Sequence, residues 1–407
     1  RRNGLIVMDV RSGPLSNVRV LAISQFGAGP FATLLLSDLG AEVIKIEDPE
    51  SFGDVARSVP PYAYDGDSTY FQSFNRGKKS LGLNLRQNSG IKIFHDLVEK
   101  SSVVFNNLRG DLPKKLGLTY DTLKQINPSI VTCSLSGFGV NNDRSSEPGY
   151  DPIIQALAGY MSITGDKNSP PVKSGVSIID FAGGFAASLA ISAALVEVRS
   201  TGLGRDIDVG LFDTSLSMLS YFSSWHLNHG WLPDRTHLSA HQSITPAQNY
   251  KTSDGWVTIF CAKEKFWHDM AKTMNLSHLL NDPRFKTFDD RKNNRQLLNE
   301  IIEPLIVQKP TSYWVKLFLN KVPCAPVRSL PEALDDPLIK SRDMIIENNH
   351  PVRGVMRHVK SPFITDGANA NVGPAPRLGQ NTNEIMLELL GYKKSHVREL
   401  RRSGVII

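Results

Sequence analysis

The sequence predicts an α/β protein with a large, mostly parallel domain and a smaller α+β domain. Three observations carry that expectation. Short β-branched runs alternate with helical patterns over residues 18–221. A tight Gly-rich turn follows the first of those runs. Composition then shifts across 223–246, where His, Trp, Ser and Pro cluster, before a hairpin pattern and a long helical stretch. Regular alternation of this kind builds a parallel, Rossmann-like sheet. The expected divisions are a first part of the large domain over 1–222, a linker and small domain over 223–330, and a return to the large domain over 331–407.

Taken in order, 18–24 reads as a buried strand and Gln25 to Gly29 as the turn after it. Pro30 suits the first turn of a helix that ends at Gly40, because its missing N–H is not needed there. A second strand follows over 41–46. Helix 90–100, strand 103–106, helix 120–126 and strand 130–134 repeat the pattern. Residues 176–179 form an apolar, β-rich run ending in Asp180, and a helix rich in small residues fills 181–198. Turn 201–205, strand 206–209 and helix 211–221 complete the alternation. Asp254-Gly255 punctuates a hairpin over 249–261. Helical patterns occupy 266–320, and 322–327 is extended and interrupted by Pro.

Bulk properties exclude several classes. The 407 residues are 41% hydrophobic and 21% charged, as in a globular protein. Forty-six Lys and Arg against 40 acids leave a net charge of +6, too thin to argue for nucleic acid but compatible with an anionic small substrate. Cys133, Cys261 and Cys324 are far apart and odd in number, so no disulfide framework is expected. The 181–198 segment approaches membrane-spanning length, but Asp180, Glu197 and Arg199 bound it; a helix buried in protein, with no membrane insertion, is expected. Phe26-Gly27-Ala28-Gly29 lacks the spacing of a dinucleotide fingerprint. His226, His229, His237 and His241 lack metal-binding spacing, so no metal is expected. Arg1, Arg2, Arg11 and Arg19 against Asp9 give a basic N-terminal stretch with no secretory apolar core.

Several segments, in order, resemble the class III CoA-transferases, a family that also contains acyl-CoA racemases. They are 18–47, Asn75-Arg76-Gly77-Lys78-Lys79-Ser80 with Leu83-Asn84-Leu85, Asn106-Asn107, 134–139, 149–159, 171–184 and 202–213. Ile244-Thr245-Pro246 onward to 259, Ala325-Pro326-Val327 and Pro376-Arg377-Leu378-Gly379 continue the set. The likeness is greatest to mitochondrial members acting on dicarboxylic acids. It implies a homodimer whose chains interlock like linked rings, an active site between domains that uses both subunits, and residence in the mitochondrial matrix. It implies acyl-CoA and free dicarboxylic acids as substrates, with no permanently bound cofactor.

The resemblance places the catalytic nucleophile at Asp180. It implies transfer of CoA from a donor such as succinyl-CoA to an acid such as glutarate, through an anhydride and an aspartyl-CoA thioester. A carboxylate suits that task because it accepts an acyl group and returns it at similar energy. On the local pattern alone, Asp180 reads equally as the N-cap of the following helix, whose dipole would keep the carboxylate ionised. Racemases of the family carry a His where this chain has Tyr150, and a phenol is a poor acid–base partner at neutral pH. A 2-methylacyl-CoA racemase is therefore the first alternative, and a non-catalytic CoA-binding protein the second. Asp151 reads as the N-cap of a helix over 152–158.

For CoA, the expected contacts are Gly27, Ala28 and Gly29 in the turn, the basic loop of Asn75, Arg76, Lys78 and Lys79, and Asn107 and Lys115 by family match. The far carboxylate of a dicarboxylic acid requires a cation or several hydrogen bonds if buried. Arg109 is the first candidate, with Arg57, Lys173 and His241 as alternatives and Tyr150 as a further pocket contact.

Overall fold

The computed structural model describes residues 12–64, 66–370 and 373–407. The basic residues Arg1, Arg2 and Arg11, with Asp9, lie outside the described residues. The chain divides into two compact units. The first comprises residues up to Ala158, Gly175–Ser220 and Lys340–Ile407; the second comprises Gly159–Ser174 and Tyr221–Ile339.

The first unit holds a six-stranded sheet: β1 (Arg19–Ile23), β2 (Glu42–Glu47), β3 (Lys79–Gly82), β4 (Val103–Asn106), β5 (Val131–Ser136) and β6 (Asp206–Gly210). Its order is β3-β2-β1-β4-β5-β6. All five pairings are parallel, with Val20 opposite both Val43 and Val103. Val20, Leu21, Ala22, Val103, Val104 and Phe105 are wholly buried, which explains why these strands read as continuous apolar runs rather than alternating ones. The order reverses between β1 and β4. In such sheets the loops leaving the carboxyl ends of those two strands diverge and open a crevice.

Around the sheet run α1 (Ala28–Asp38), α2 (Thr69–Asn75), α3 (Asn88–Val98), α4 (Asp151–Leu157), α5 (Ile178–Thr201) and α6 (Leu211–Leu219). Gly27 caps α1, so the helix starts two residues before Pro30. The small residues of α5 permit close packing. A Cβ at Gly184 would meet Phe31 Cδ1 at 2.7 Å, and one at Gly183 would meet Leu211 Cδ2 at 2.5 Å. Ser188 Oγ donates to Ala32 O across the α1–α5 contact at 2.9 Å. One side of α5 is not covered: Leu189 is 73% and Val196 67% exposed. The expectation of a buried helix therefore holds for one face only. Among the described residues α5 is long and apolar enough to cross a membrane by length and composition.

Three local readings are corrected. Residues 176–179 are not a strand; α5 begins at Ile178, and Asp180 sits inside its first turn rather than at a strand end. Lys79, expected in an open basic loop, begins β3, where Ser80 and Leu81 are buried. Asp151 does not cap α4. Tyr150 takes the N-cap position with extended backbone and no side-chain bond.

The C-terminal part of this unit forms the antiparallel pair β10 (Ile345–His350) and β11 (Gly354–Val359), then packs Met386, Leu400 and Ile406 into the core beside Leu81 and Phe94. The second unit contains the antiparallel sheet of β7 (Ala247–Lys251), β8 (Trp256–Phe260) and β9 (Cys324–Pro326), with helices over Glu264–Thr273, Arg295–Ile306 and Thr311–Phe318. Trp267, Phe285 and Phe318 lie in its core. Residues 159–174, expected with the large domain, group with this unit. Asp166 there accepts from His237 Nδ1 at 2.7 Å, and Ser169 O accepts from Arg235.

Candidate active site

The crevice at the sheet reversal is a cleft of ≈ 360 Å³, lined by the turn after β1, the segment after β4, the end of β5, and residues 147–150, with Asp180 and Leu211. Two devices shape its walls. Phe26 takes a left-handed backbone at φ 66°, uncommon for a bulky residue. Its N–H donates to Asp54 Oδ1 at 2.9 Å, and Asp54 is fixed by a wholly buried ion pair with Lys45 at 2.8 Å. The turn is also clamped to the segment after β4. Gln25 N–H donates to Asn107 Oδ1 at 2.8 Å, and Asn107 Nδ2 returns a bond to Gln25 O at 2.9 Å. A Cβ at Gly29 would lie 2.5 Å from Asn107 Cγ, so glycine permits this clamp.

Asp180 is 8% exposed and borders the cleft. Its carboxyl is pushed up to about 7, first by burial and then by the like charge of Asp151. The expectation that the α5 dipole keeps Asp180 readily ionised is therefore corrected. The N–H groups of Ile179 and Asp180 are occupied by Asp151 Oδ2, at 2.8 and 3.4 Å. A Cβ at Gly27 would come within 3.0 Å of Asp180 Oδ2 and 3.2 Å of the Tyr70 hydroxyl. Glycine keeps that side of the carboxylate open. The Tyr70 phenol is pushed up to about 12 by burial, then by Asp180 and Asp54, and stays protonated at neutral pH.

Of the residues expected at the site, the cleft brings together Gly27, Ala28, Asn107, Arg109, Tyr150 and Asp180. Arg109 is half exposed and pairs with Asp111 at 3.3 Å. Tyr150 is 59% exposed and packs edge-on to Phe26, their centroids 6.1 Å apart. Lys115 is outside the lining, exposed and paired with Asp111 at 2.7 Å.

The basic loop is not an open phosphate cradle. Arg76 is buried against Asp38 in a two-pronged pair. Lys78 Nζ donates to Pro30 O, Thr33 Oγ1 and Asn75 Oδ1, and burial pushes its ammonium well down. Asn75 is buried and donates to Phe71 O. Lys79 bridges Glu42 and Glu384. The charge that suggested a ligand site instead joins parts of the fold. Arg57 is corrected likewise: it is buried, holds Glu47 with two bonds at 2.7 and 2.9 Å, and stacks over Phe71 at 3.9 Å. Lys173 and His241 belong to the second unit. His241 Nδ1 there accepts from the N–H of Ser243 and Ile244, at 3.2 and 3.1 Å, which fixes a turn.

Sequence reasoning misses Gln25, Asp54, Tyr70 and the reach of Asp151 to α5. Gln25 sits in a recognised turn, which was a usable signal. Tyr70 and Asp54 lie 110 and 126 residues from Asp180 in sequence, and no local pattern ties them to it. Among the described residues no group of three or more His, Cys, Asp or Glu is arranged to hold a metal ion.

The fold is an open parallel α/β sheet with a buried carboxyl, Asp180, beside its switch-point cleft, and comparison gives the class and the family. Residues 15–382 match CoA-transferase family III. The chain belongs to that family and is an enzyme of the transferase class. It is 35% identical over 396 residues to the succinyl-CoA:glutarate CoA-transferase of Mus musculus, covering 97% of this chain and 90% of that protein. Identity to the Homo sapiens protein of the same name is 33% over the same shares. A crystal structure of a CAIB/BAIF family protein from Brucella suis superposes with a TM-score of 0.79 at 32% identity, covering 93% of this chain and 99% of that one.

Proposed function

We propose that this enzyme moves CoA from succinyl-CoA to glutarate, with Asp180 as the nucleophile. The single observation that carries the reading is the Asp180 carboxyl, buried yet bordering the cleft and poised near neutrality. The names of the mouse and human relatives support the choice of acids.

The steps balance without redox chemistry or net proton transfer. An Asp180 oxygen attacks the thioester carbonyl of succinyl-CoA; the C–S bond breaks, and CoA leaves as thiolate with the electron pair. The thiolate attacks Asp180 Cγ, breaks the anhydride C–O bond and expels succinate, leaving an aspartyl-CoA thioester. A glutarate carboxylate attacks the same carbon and releases the thiolate. The thiolate then takes the glutaryl group, and the Asp180 carboxylate is restored. Arg109, the cation among the described residues lining the cleft, supports a charge-assisted contact to the far carboxylate. Asn107, Gly27 and Ala28 line the path for pantetheine. The proposal includes a homodimer in the mitochondrial matrix, as the family resemblance implies.

The test is a panel of free acids offered with succinyl-CoA, read by the mass of each new CoA thioester, with mass spectrometry of the protein during turnover. Glutaryl-CoA and a CoA adduct on Asp180 are expected. No transfer to any dicarboxylate, or an adduct on another residue, refutes the reading.

A further inference from the structure

We propose that Asp151 is the positioning residue for the nucleophile: its buried carboxylate grips the backbone at the start of α5 and sets how readily Asp180 ionises. This inference rests on Asp180 being the nucleophile. Asp151 is 2% exposed and is not part of the cleft lining, so it acts through Asp180 and not on substrate.

It is the first residue of α4, followed by Pro152, which has no N–H to offer. One carboxylate oxygen accepts from Gln155 Nε2 at 2.6 Å. The other reaches α5, 28 and 29 residues away, and accepts from Ile179 N and Asp180 N. No side chain of the α5 N-cap residue, Ser177, does this work. Asp151 is thus a borrowed cap, and it holds the N–H of the nucleophile's own residue.

A cap needs only an accepting oxygen; Asn or Ser serves nearly as well as Asp. Charge at this place has a second effect, because it opposes ionisation of Asp180. Tyr70 from α2, Asp38 from α1, Cys133 from β5, Asp206 and Asp208 from β6, and Asp213 from α6 are the titratable groups of the neighbouring elements. Arg109, Glu147 and Tyr150 stand around the cleft, and Asp54 is neutralised by Lys45. Burial is the first cause of the raised Asp180 carboxyl, and among these groups the like charge of Asp151 adds to it. The outcome is a more basic, more nucleophilic carboxylate, at the expense of its ionised fraction at low pH.

The test compares kcat/KM for succinyl-CoA and glutarate from pH 5 to 9 in the full-length wild type, Asp151→Asn and Asp151→Ala. Asp151→Asn keeps the cap and loses the charge, so its acid limb moves to lower pH by roughly one unit. Asp151→Ala loses both, so kcat falls by a further factor of roughly ten as the nucleophile's backbone loosens. Should Asp151→Asn not fold, Asp151→Ser keeps an accepting oxygen and carries the same expectation. An acid limb unmoved in the uncharged variants overturns the inference, as does Asp151→Ala with the wild-type kcat and profile. Asp180→Asn separates the two readings: if it is inactive while the Asp151→Asn profile is unmoved, only the role of Asp151 fails. If Asp180→Asn is active, the nucleophile itself is misassigned.

Discussion

Asp180 meets two demands that conflict. As the proposed nucleophile it must be charged to attack a thioester, and it is buried where charge is costly. Its raised carboxyl fixes the sign of the stability effect. Below about pH 4 the group is protonated whether the chain is folded or not, and it contributes fully. As pH rises toward 7 the unfolded chain loses the proton first, and stability declines. Asp180→Asn does not titrate, so it should match wild type in thermal unfolding at pH 4 and be more stable by roughly 2–4 kcal/mol at pH 8. The same variant should show no transfer. Equal unfolding at both pH values would mean that the native carboxyl is not held near neutrality. Arg109→Ala should weaken glutarate use more than use of a monocarboxylate of similar length, by roughly 1.5–3 kcal/mol in kcat/KM. Equal loss with both acids would move the role of Arg109 to CoA or to the fold. The resemblance puts Tyr150 where racemases of the family carry a His, so a chiral 2-methylacyl-CoA in deuterated buffer should exchange its α-proton far more slowly than transfer proceeds. Rapid exchange that depends on Asp180 would favour racemisation.

Among the elements, the clamp between the turn after β1 and the segment after β4 decides the shape of the cleft. Gly29→Ala pushes a methyl group into Asn107, whose amide holds Gln25 from both sides. Overpacking of that kind typically costs about 1–3 kcal/mol. Activity should fall at temperatures where the variant is still folded, because the wall moves first; a variant with wild-type stability and rate would show that the clamp tolerates displacement. The turn itself was legible in sequence, since Gly-rich punctuation between an apolar run and a helix has few other meanings. So were β1, β2, β4 and β5, whose runs are buried along most of their length, and β6, where Ile207 and Val209 alternate with the exposed Asp206 and Asp208. β3 was not legible: Lys79 and Ser80 look like a solvated charge run until Glu42 and Glu384 are seen to pair with the lysine. The start of α5 was misread for a related reason. Val176 to Ile179 are β-branched or small, but the Asp151 cap comes from 28 residues away, and no sequence window of helical size contains both. The proposed nucleophile was accessible through resemblance, whereas its neighbours Asp54, Tyr70 and Asp151 come to it through long-range contacts.

At the scale of the whole molecule, the exposed face of α5 calls for an occupant. Leu189, Val196 and Phe185 are exposed on a helix with a mean composition apolar enough for a membrane, while its other face is packed on α1 with Ser188 bonded across. Leaving large aliphatic side chains in water forfeits roughly 1.5–3 kcal/mol each relative to burial. A second copy of the chain is the occupant the family resemblance implies. Light scattering of the purified protein should therefore give twice the chain mass of 45.0 kDa, unchanged over a wide dilution range if the chains interlock. Leu189→Glu combined with Val196→Glu should lower the yield of dimer or prevent its assembly, because two buried unpaired carboxylates would face the partner. A wild-type protein that scatters as a single chain at micromolar concentration, without detergent or lipid, would refute the dimer. A dimer that survives both glutamates would place its interface elsewhere and leave the α5 face for another partner.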